Sequence, residues 1–499
     1  MDTFQYLLLG LGNSLSGTNL LFAFAGCMLG TMIGLLPGLG PSAGTAILIP
    51  LTFSLDPTGA IIMLCAIYYG AMYGGTITSV LINVPGEAAS VITCIDGYAM
   101  ARQGRAGSAL AIAAIGSFVG GTIATVALVV VALPLATLAL KFGPAEFFGL
   151  MVAGLCLVIG LAGRNMMAAL LMTVLGLLIA MIGLDPVRGA PRFTFGIPEL
   201  YDGIGFIPVV MGLFGIGELL LAAERRQANM INADLKNWNP TKQEWVLSSK
   251  AIGRGTVVGF VLGLIPGVGA IVPTFMAYVI EKRLSKNPER FGNGAIEGVA
   301  SAETANNAYA NAAMVPLLAL GIPSSPTVAV LMGAFIINGL TPGPFLFQEK
   351  PELVWTIIAS FFVGNVILLI LNLPLVGLWA KLLKIPFSYM CTGVLIFCII
   401  GAYSLKQNMF DVWLMLGFGV LGYVLRKLEF PLAPAILALI LGPMMERSLR
   451  TTLEISAGSF GIFLERPLAL ALLTIPVIVL GFMLIKPRAF ARVRQTDAE

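Results

Sequence analysis

The residues able to do chemistry in this chain gather where helices must break. The stretch "GLLPGLGPSAG", residues 34–44, places four glycines, two prolines and a serine inside an apolar run, and "GLIPGVG", residues 263–269, repeats the device. Proline removes a backbone donor and glycine loosens the helix. Backbone groups freed in this way are tolerated at membrane depth only inside protein or against a wet cavity. A helix restarting near Pro41 or Ala270 aims free N–H groups and a positive dipole end at an anion, a carboxylate above all. Carbonyls freed at the preceding helix end suit Na+. The candidates are Pro37, Gly38, Gly40, Pro41, Ser42 and Thr45 in the first break, and Pro266, Gly267 and Gly269 in the second. The same glycines also read as a packing pattern, because Gly30, Gly34 and Gly38, like Gly259, Gly263 and Gly267, form GxxxGxxxG. Both roles can hold together.

A second pair of breaks follows. "TITSVLINVPGEAAS", 76–90, carries Thr76, Thr78, Ser79, Asn83 and Glu87 around Pro85-Gly86. "ETANNAYANAAMVPLLALGIPSSPT", 303–327, carries Asn306, Asn307, Asn311, Ser324, Ser325 and Thr327 around Pro323. Asn307 and Asn311 share a helix face with Thr304. Amides and hydroxyls inside a span bind a carboxylate or supply oxygens to Na+, or they staple helices together. A Na+ site is expected near Gly38, Asn83, Gly267 and Asn311. Glu303 reads equally as an intramembrane acid or as an interfacial residue. Lysine and arginine are largely absent from the span interiors, so a bound anion is met by helix ends, amides and cations.

Other chemistries find little support. The chain has no histidine, and Cys27, Cys65, Cys94, Cys156, Cys391 and Cys398 are scattered without a CxxC pair, which reads as small buried hydrophobes. No serine stands beside a credible base, so no enzyme is expected and no cofactor beyond a coupling ion, Na+ or H+. A net charge of +4 gives no nucleic-acid signal. Duplicated polar breaks suggest occlusion rather than an open pore.

Long apolar elements must position these breaks. The 499 residues are 58% hydrophobic and 11% charged, with mean hydropathy +0.94, where soluble chains carry about 25% charge. At about twenty residues per span, the windows predict an all-α polytopic membrane protein with about 12 transmembrane segments. Two halves are legible. "GTMIGLLPGLG" and "GFVLGLIPGVG" match at an offset of 229, "NMMAALLMTVLG" and "NMFDVWLMLGFG" at 243, and Pro85 and Pro323 lie 238 apart. The chain divides into a first membrane repeat (1–222), a linker (223–250), a second repeat (251–485) and a tail (486–499). Linker and tail hold lysines and arginines and are expected in the cytoplasm, as is the 86–107 loop. The counterpart of that loop, about 339–352, fits the outside, so the repeats are inverted with broken or re-entrant helices. The halves then differ by an extra span or a re-entrant hairpin near 432–460. The N-terminus lacks the basic residues of a cleaved signal peptide.

With these breaks in view, "GLLPGLGPSAGTAILIPLTF", "YYGAMYGGTITSVLINVPGEAAS", "DGYAMARQGRAG", "IPGVGA" and "NNAYANAAMVPLLALGIPSSPTVAVLMGAF" closely resemble the large membrane subunit of tripartite tricarboxylate transporters, the TctA-type family. The resemblance covers nearly the whole chain. It implies a small four-span membrane subunit and a periplasmic solute-binding protein as partners, in a bacterial inner membrane surrounded by lipid. It also implies import of citrate, other di- or tricarboxylates or aromatic acids, driven by an ion gradient rather than ATP. Movement would be elevator-like, by analogy. The alternative is an ion-coupled carboxylate carrier that works alone.

Overall fold

The computed structural model describes residues 3–36, 39–161, 166–185, 188–224, 239–383 and 387–485. Several helices start where the sequence supplies an acceptor for their first amides. The first half holds α1 (Thr3–Ser14), α2 (Gly17–Gly34), α3 (Gly40–Leu48), α4 (Pro57–Ile82), α5 (Ala106–Ala139), α6 (Pro144–Leu161), α7 (Met166–Ala180) and α8 (Phe206–Glu224). Asp56 caps α4 by accepting from the Gly59 amide at 3.0 Å, with Pro57 as the first helical residue. The second half holds α9 (Lys242–Gly263), α10 (Ile271–Leu284), α11 (Ile296–Ala312), α12 (Met314–Leu320), α13 (Pro326–Ile337), α14 (Pro351–Asn372), α15 (Phe387–Lys406), α16 (Met409–Lys427), α17 (Ala433–Ile455) and α18 (Pro467–Ile485). Thr241 and Glu244 form a capping box at α9, so the last residues of the expected linker are already helical. Residues 225–238 of that linker and the tail from 486 lie outside the described residues.

This is a multi-pass, almost entirely helical membrane protein. Among the described residues the one sheet is a small pairing of β1 (Gly183–Leu184) with β2 (Pro191–Arg192). Among the described residues six helices, α2, α4, α5, α8, α14 and α16, are long and apolar enough to cross a membrane, and five shorter apolar helices accompany them. The breaks divide apolar length into pieces shorter than a bilayer requires, so hydropathy windows run ahead of the helix count. Helix α17 runs without a turn through the stretch where an extra span or a re-entrant hairpin was expected, which speaks against the hairpin.

Close glycine contacts organise the centre. A Cβ on Gly26, Gly30 or Gly34 of α2 would stand 2.4, 2.3 and 2.3 Å from the carbonyl oxygens of Met63, Ile67 and Ala71 in α4. A Cβ on Gly255, Gly259 or Gly263 of α9 would stand 2.6, 2.4 and 3.0 Å from those of Ser301, Ala305 and Tyr309 around α11. Both series rise together, so α2 runs parallel to α4 and α9 parallel to α11. The chain returns between them through α3, whose Gly44 abuts Ile33 of α2. In the other half it returns through α10, whose Glu281 pairs with Arg254 of α9. The glycine pattern read as packing therefore packs, at every described position before the break itself.

Helices α4 and α11 occupy the middle. Every residue of α11 is buried, as are nearly all of α4. They cross antiparallel: Thr76 meets Glu303, and Val80 and Val299 both flank Gly97. Helix α5 lies along α11, with Gly116 and Gly120 against Thr304, and α14 lies along α4, with Phe361 edge-on to Tyr69 at 5.0 Å.

Arg105 pairs with Glu244, and the Gln103 side chain donates to the Asn293 carbonyl, so the 86–107 loop and the start of α9 share one face of the protein. Arg192, at the far end of α7, is neutralised by Asp185 and Glu446.

Candidate functional site

Two of the four breaks meet on a third, the one that follows α12. After α12, Gly321 takes a left-handed φ of 70°, and a Cβ there would lie 2.6 Å from the Pro342 carbonyl oxygen. The chain then turns through Pro323 and restarts at Pro326, with Ser325 capping α13 by accepting from the Val328 amide at 3.2 Å. The Gly267 amide donates to the Ser324 carbonyl at 3.0 Å, and the Tyr309 hydroxyl reaches the same oxygen at 3.3 Å. One turn further, the hydroxyls of Thr327 and Ser42 are hydrogen-bonded at 2.9 Å. The 264–270 break and the restart after the 35–39 break thus contact neighbouring residues of one segment, 324–327. Tyr68 of α4, which precedes the 83–90 break, lies beside Ser325, short of hydrogen-bonding geometry.

The backbone conformation explains the glycines at two of these points. Gly40 has φ 58° and Gly267 has φ 84°, the left-handed region, and a Cβ on Gly267 would stand 2.4 Å from the Val158 side chain. Helix α3 begins at Gly40-Pro41 without a side-chain cap, so its first-turn amides face the Ser42–Thr327 pair uncapped. Helix α10, which starts after Gly269, likewise has no side-chain cap. Pro41, Ser324 and Thr45 are buried, and the Thr45 hydroxyl has no partner. Pro37 and Gly38 lie outside the described residues.

The polar residues of α4 and α11 divide by face. Thr76 donates to Glu303 Oε2 at 2.6 Å, and Thr93 to Oε1. Asn306 donates to Glu87 Oε1 at 2.7 Å. Asn307 and Asn311 turn instead toward α5: Asn307 donates to Ser117 at 2.7 Å and Asn311 accepts from Thr125 at 3.2 Å. Both asparagines are hydrogen-bonded stitches between helices. Thr78 donates to the Gly75 carbonyl of its own helix.

The positions expected to hold Na+ sit in separate surroundings. Asn83 caps α4 in a left-handed conformation and is exposed, Gly267 packs on Val158, and Asn311 faces α5. No hydrogen bond joins these three. Glu303, read equally as interfacial, is buried at the crossing of α4 and α11. Asn365 escaped sequence reading, yet it accepts from Tyr73 and donates to Thr122 and the Phe118 carbonyl, tying α14 to α4 and α5. A single asparagine inside "FFVGNVILL" was the available signal.

A cavity of about 1130 Å³ lies at the opposite ends of α3 and α13 from these starts, walled in part by Phe53 beyond α3, Ile336 and Ile337 of α13, and Asp202, Lys406, Asp411 and Arg447.

An uncharacterized 52.8 kDa protein of the TAR-I ttuC' 3' region of Agrobacterium vitis is 46% identical over 477 residues, 95% of each chain. An uncharacterized protein of the TAR-II ttuC' 3' region of the same organism is 48% identical over 215 residues, 43% of this chain and 89% of its own. No solved structure matches the chain. The profile that describes the tripartite tricarboxylate transporter TctA family matches residues 20–437, and with them both broken-helix pairs. The chain belongs to the tripartite tricarboxylate transporter TctA family.

Proposed function

We infer that this chain is the large permease subunit of a binding-protein-dependent secondary transporter, and that it holds a di- or tricarboxylate between the first turns of α3 and α13. One observation carries the reading: the Ser42–Thr327 hydrogen bond joins the starts of two broken helices from opposite halves of the sequence. The first-turn amides of α3, which no side chain caps, and its positive end favour a carboxylate, and the hydroxyl pair can reopen to donate to it.

The two halves are inverted repeats in this reading. Support comes from the parallel α2–α4 and α9–α11 pairs, the antiparallel crossing of α4 and α11, and the 238-residue spacing of their contact partners. A Na+ or H+ gradient drives import across the bacterial inner membrane, with linker and C-terminus cytoplasmic. A small four-span subunit and a periplasmic solute-binding protein complete the assembly, and the substrate-bearing breaks move against a fixed scaffold.

The test is uptake into proteoliposomes holding the full assembly. Ser42→Ala combined with Thr327→Ala is expected to lower uptake of the transported carboxylate by roughly tenfold or more, the scale of a lost charge-assisted contact. Wild-type uptake by the double variant contradicts the assignment. Uptake by this chain alone would favour a stand-alone carrier.

A further inference from the structure

The crossing of α4 and α11 holds two carboxylic acids that carboxylate binding leaves unused. Glu303 and Glu87 are both buried. They approach one step of α4 from two sides: Thr76 donates to Glu303, and the Glu87 Cγ lies 3.1 Å from the place of a Cβ on Gly75. Gly86 makes this possible, because any Cβ there would stand 2.1 Å from the Gly34 carbonyl oxygen and 2.5 Å from the Gly75 Cα. Only glycine lets the chain turn tightly enough under α4 to send Glu87 inward. The hydrogen-bond partners of the two carboxyls, Thr76, Thr93 and Asn306, are neutral donors. Among the described residues neither acid takes part in an ion pair. Two buried carboxylates without a counter-charge are unfavourable unless a cation joins them.

An unsatisfied oxygen stands at the same place. The Asn306 side chain is fully buried and donates to Glu87, while its own carbonyl oxygen has no partner. An orphaned buried oxygen is rare and calls for a ligand or ion. A proton would neutralise one carboxyl and leave the other oxygens as they are. A hard monovalent cation takes carboxylate, amide-carbonyl and hydroxyl oxygens together.

We propose that Glu87, Glu303 and the side-chain carbonyl of Asn306, with the Thr76 hydroxyl alongside, bind a sodium ion at the crossing of α4 and α11. The ion supplies the counter-charge that lysine and arginine do not. Sodium binding rests on the acid cluster alone; its coupling to transport rests on the carboxylate reading.

The experiment follows thermal unfolding of the purified full-length protein at neutral pH, with Na+ replaced by K+ or choline at constant ionic strength. Wild type is expected to gain stability saturably with Na+ and not with K+ or choline. Glu303→Gln and Asn306→Ala are expected to raise the half-saturating Na+ concentration by roughly tenfold or more. Equilibrium binding of radioactive Na+ to the wild type, competed by Na+ and not by K+, covers the case in which a variant does not fold. Absence of saturable Na+ binding, an equal Na+ response in both variants, or a response to pH alone overturns the proposal. Loss of carboxylate uptake with Na+ binding intact sinks only the carboxylate reading. Uptake that persists without Na+ binding sinks only this one.

Discussion

Asp96 shows how a single carboxylate can hold two distant parts of the chain. Its Oδ1 accepts from the amides of Gly292, Gly294 and Ala295 at 2.9, 2.8 and 2.8 Å, and its Oδ2 from the Tyr278 hydroxyl at 2.8 Å. The 292–295 turn leads directly into α11, so Asp96 fixes where that helix begins. Asp96→Ala leaves three amides unanswered, each worth about 1–3 kcal/mol if buried, and is expected to lower the thermal midpoint strongly. An unchanged midpoint would show water replacing the carboxylate. Asn307 illustrates what residue types alone leave open. Its spacing with Asn311 put both on one face, but whether that face met ligand or helix depended on α5, whose Ser117 stands 190 positions away. Asn307→Ala should therefore lower stability by about 1 kcal/mol and lower uptake through that loss. Abolished uptake at unchanged stability would return Asn307 to the binding site. Glu87 and Glu303 were visible as acids among apolar residues, yet their burial follows from the Gly86 turn and the antiparallel crossing, neither of which sequence spacing encodes.

Elements were more legible than the contacts between them. Glycine and proline placement located all four breaks, because a helix cannot run through Pro-Gly at membrane depth without consequence. What spacing did not reveal was that α2 and α4 are parallel, with the break between them returning the chain. That fact depends on Gly26, Gly30 and Gly34 each meeting a backbone carbonyl. Gly30→Val or Gly259→Val forces a side chain where a Cβ alone already stands within 2.4 Å of a carbonyl oxygen. Each is expected to destabilise by about 1–3 kcal/mol or more, measured as reduced yield and a lower midpoint in detergent. Stability equal to wild type would show that these helix pairs separate readily.

The start of α9 offers a pH test. Glu244 is largely buried, which opposes ionisation, but the Thr241 amide and the Arg105 guanidinium outweigh burial and hold its carboxyl below the usual range. A lowered folded-state value means the stabilisation is present above roughly pH 4.3 and is lost as pH falls through the lowered value. Glu244→Gln is therefore expected to weaken protection of the first turn of α9 against hydrogen exchange at neutral pH, by about 1 kcal/mol. Under acid the difference should vanish. A difference that grows under acid contradicts the sign.

At the scale of the whole molecule, the two halves announce themselves in sequence through offsets of 229, 238 and 243. Their arrangement does not, because an offset carries no direction. Burial supplies it: α4 and α11 become the centre by crossing, and each is lined by a helix from its own half, α2 or α9, and by one from the other region, α14 or α5. At Ser42 and Thr327 the first break of one half also meets the second break of the other, which no half could do alone.

The most direct measurement is disulfide cross-linking of Ser42→Cys with Thr327→Cys, in a background with the native cysteines replaced, in membranes holding the full assembly. The hydroxyl oxygens they replace are 2.9 Å apart. The account predicts rapid cross-linking that abolishes uptake, and slowing of the cross-link by the transported carboxylate but not by a neutral analogue. A pair that fails to cross-link, or that cross-links at the same rate whether or not the carboxylate is present, contradicts it.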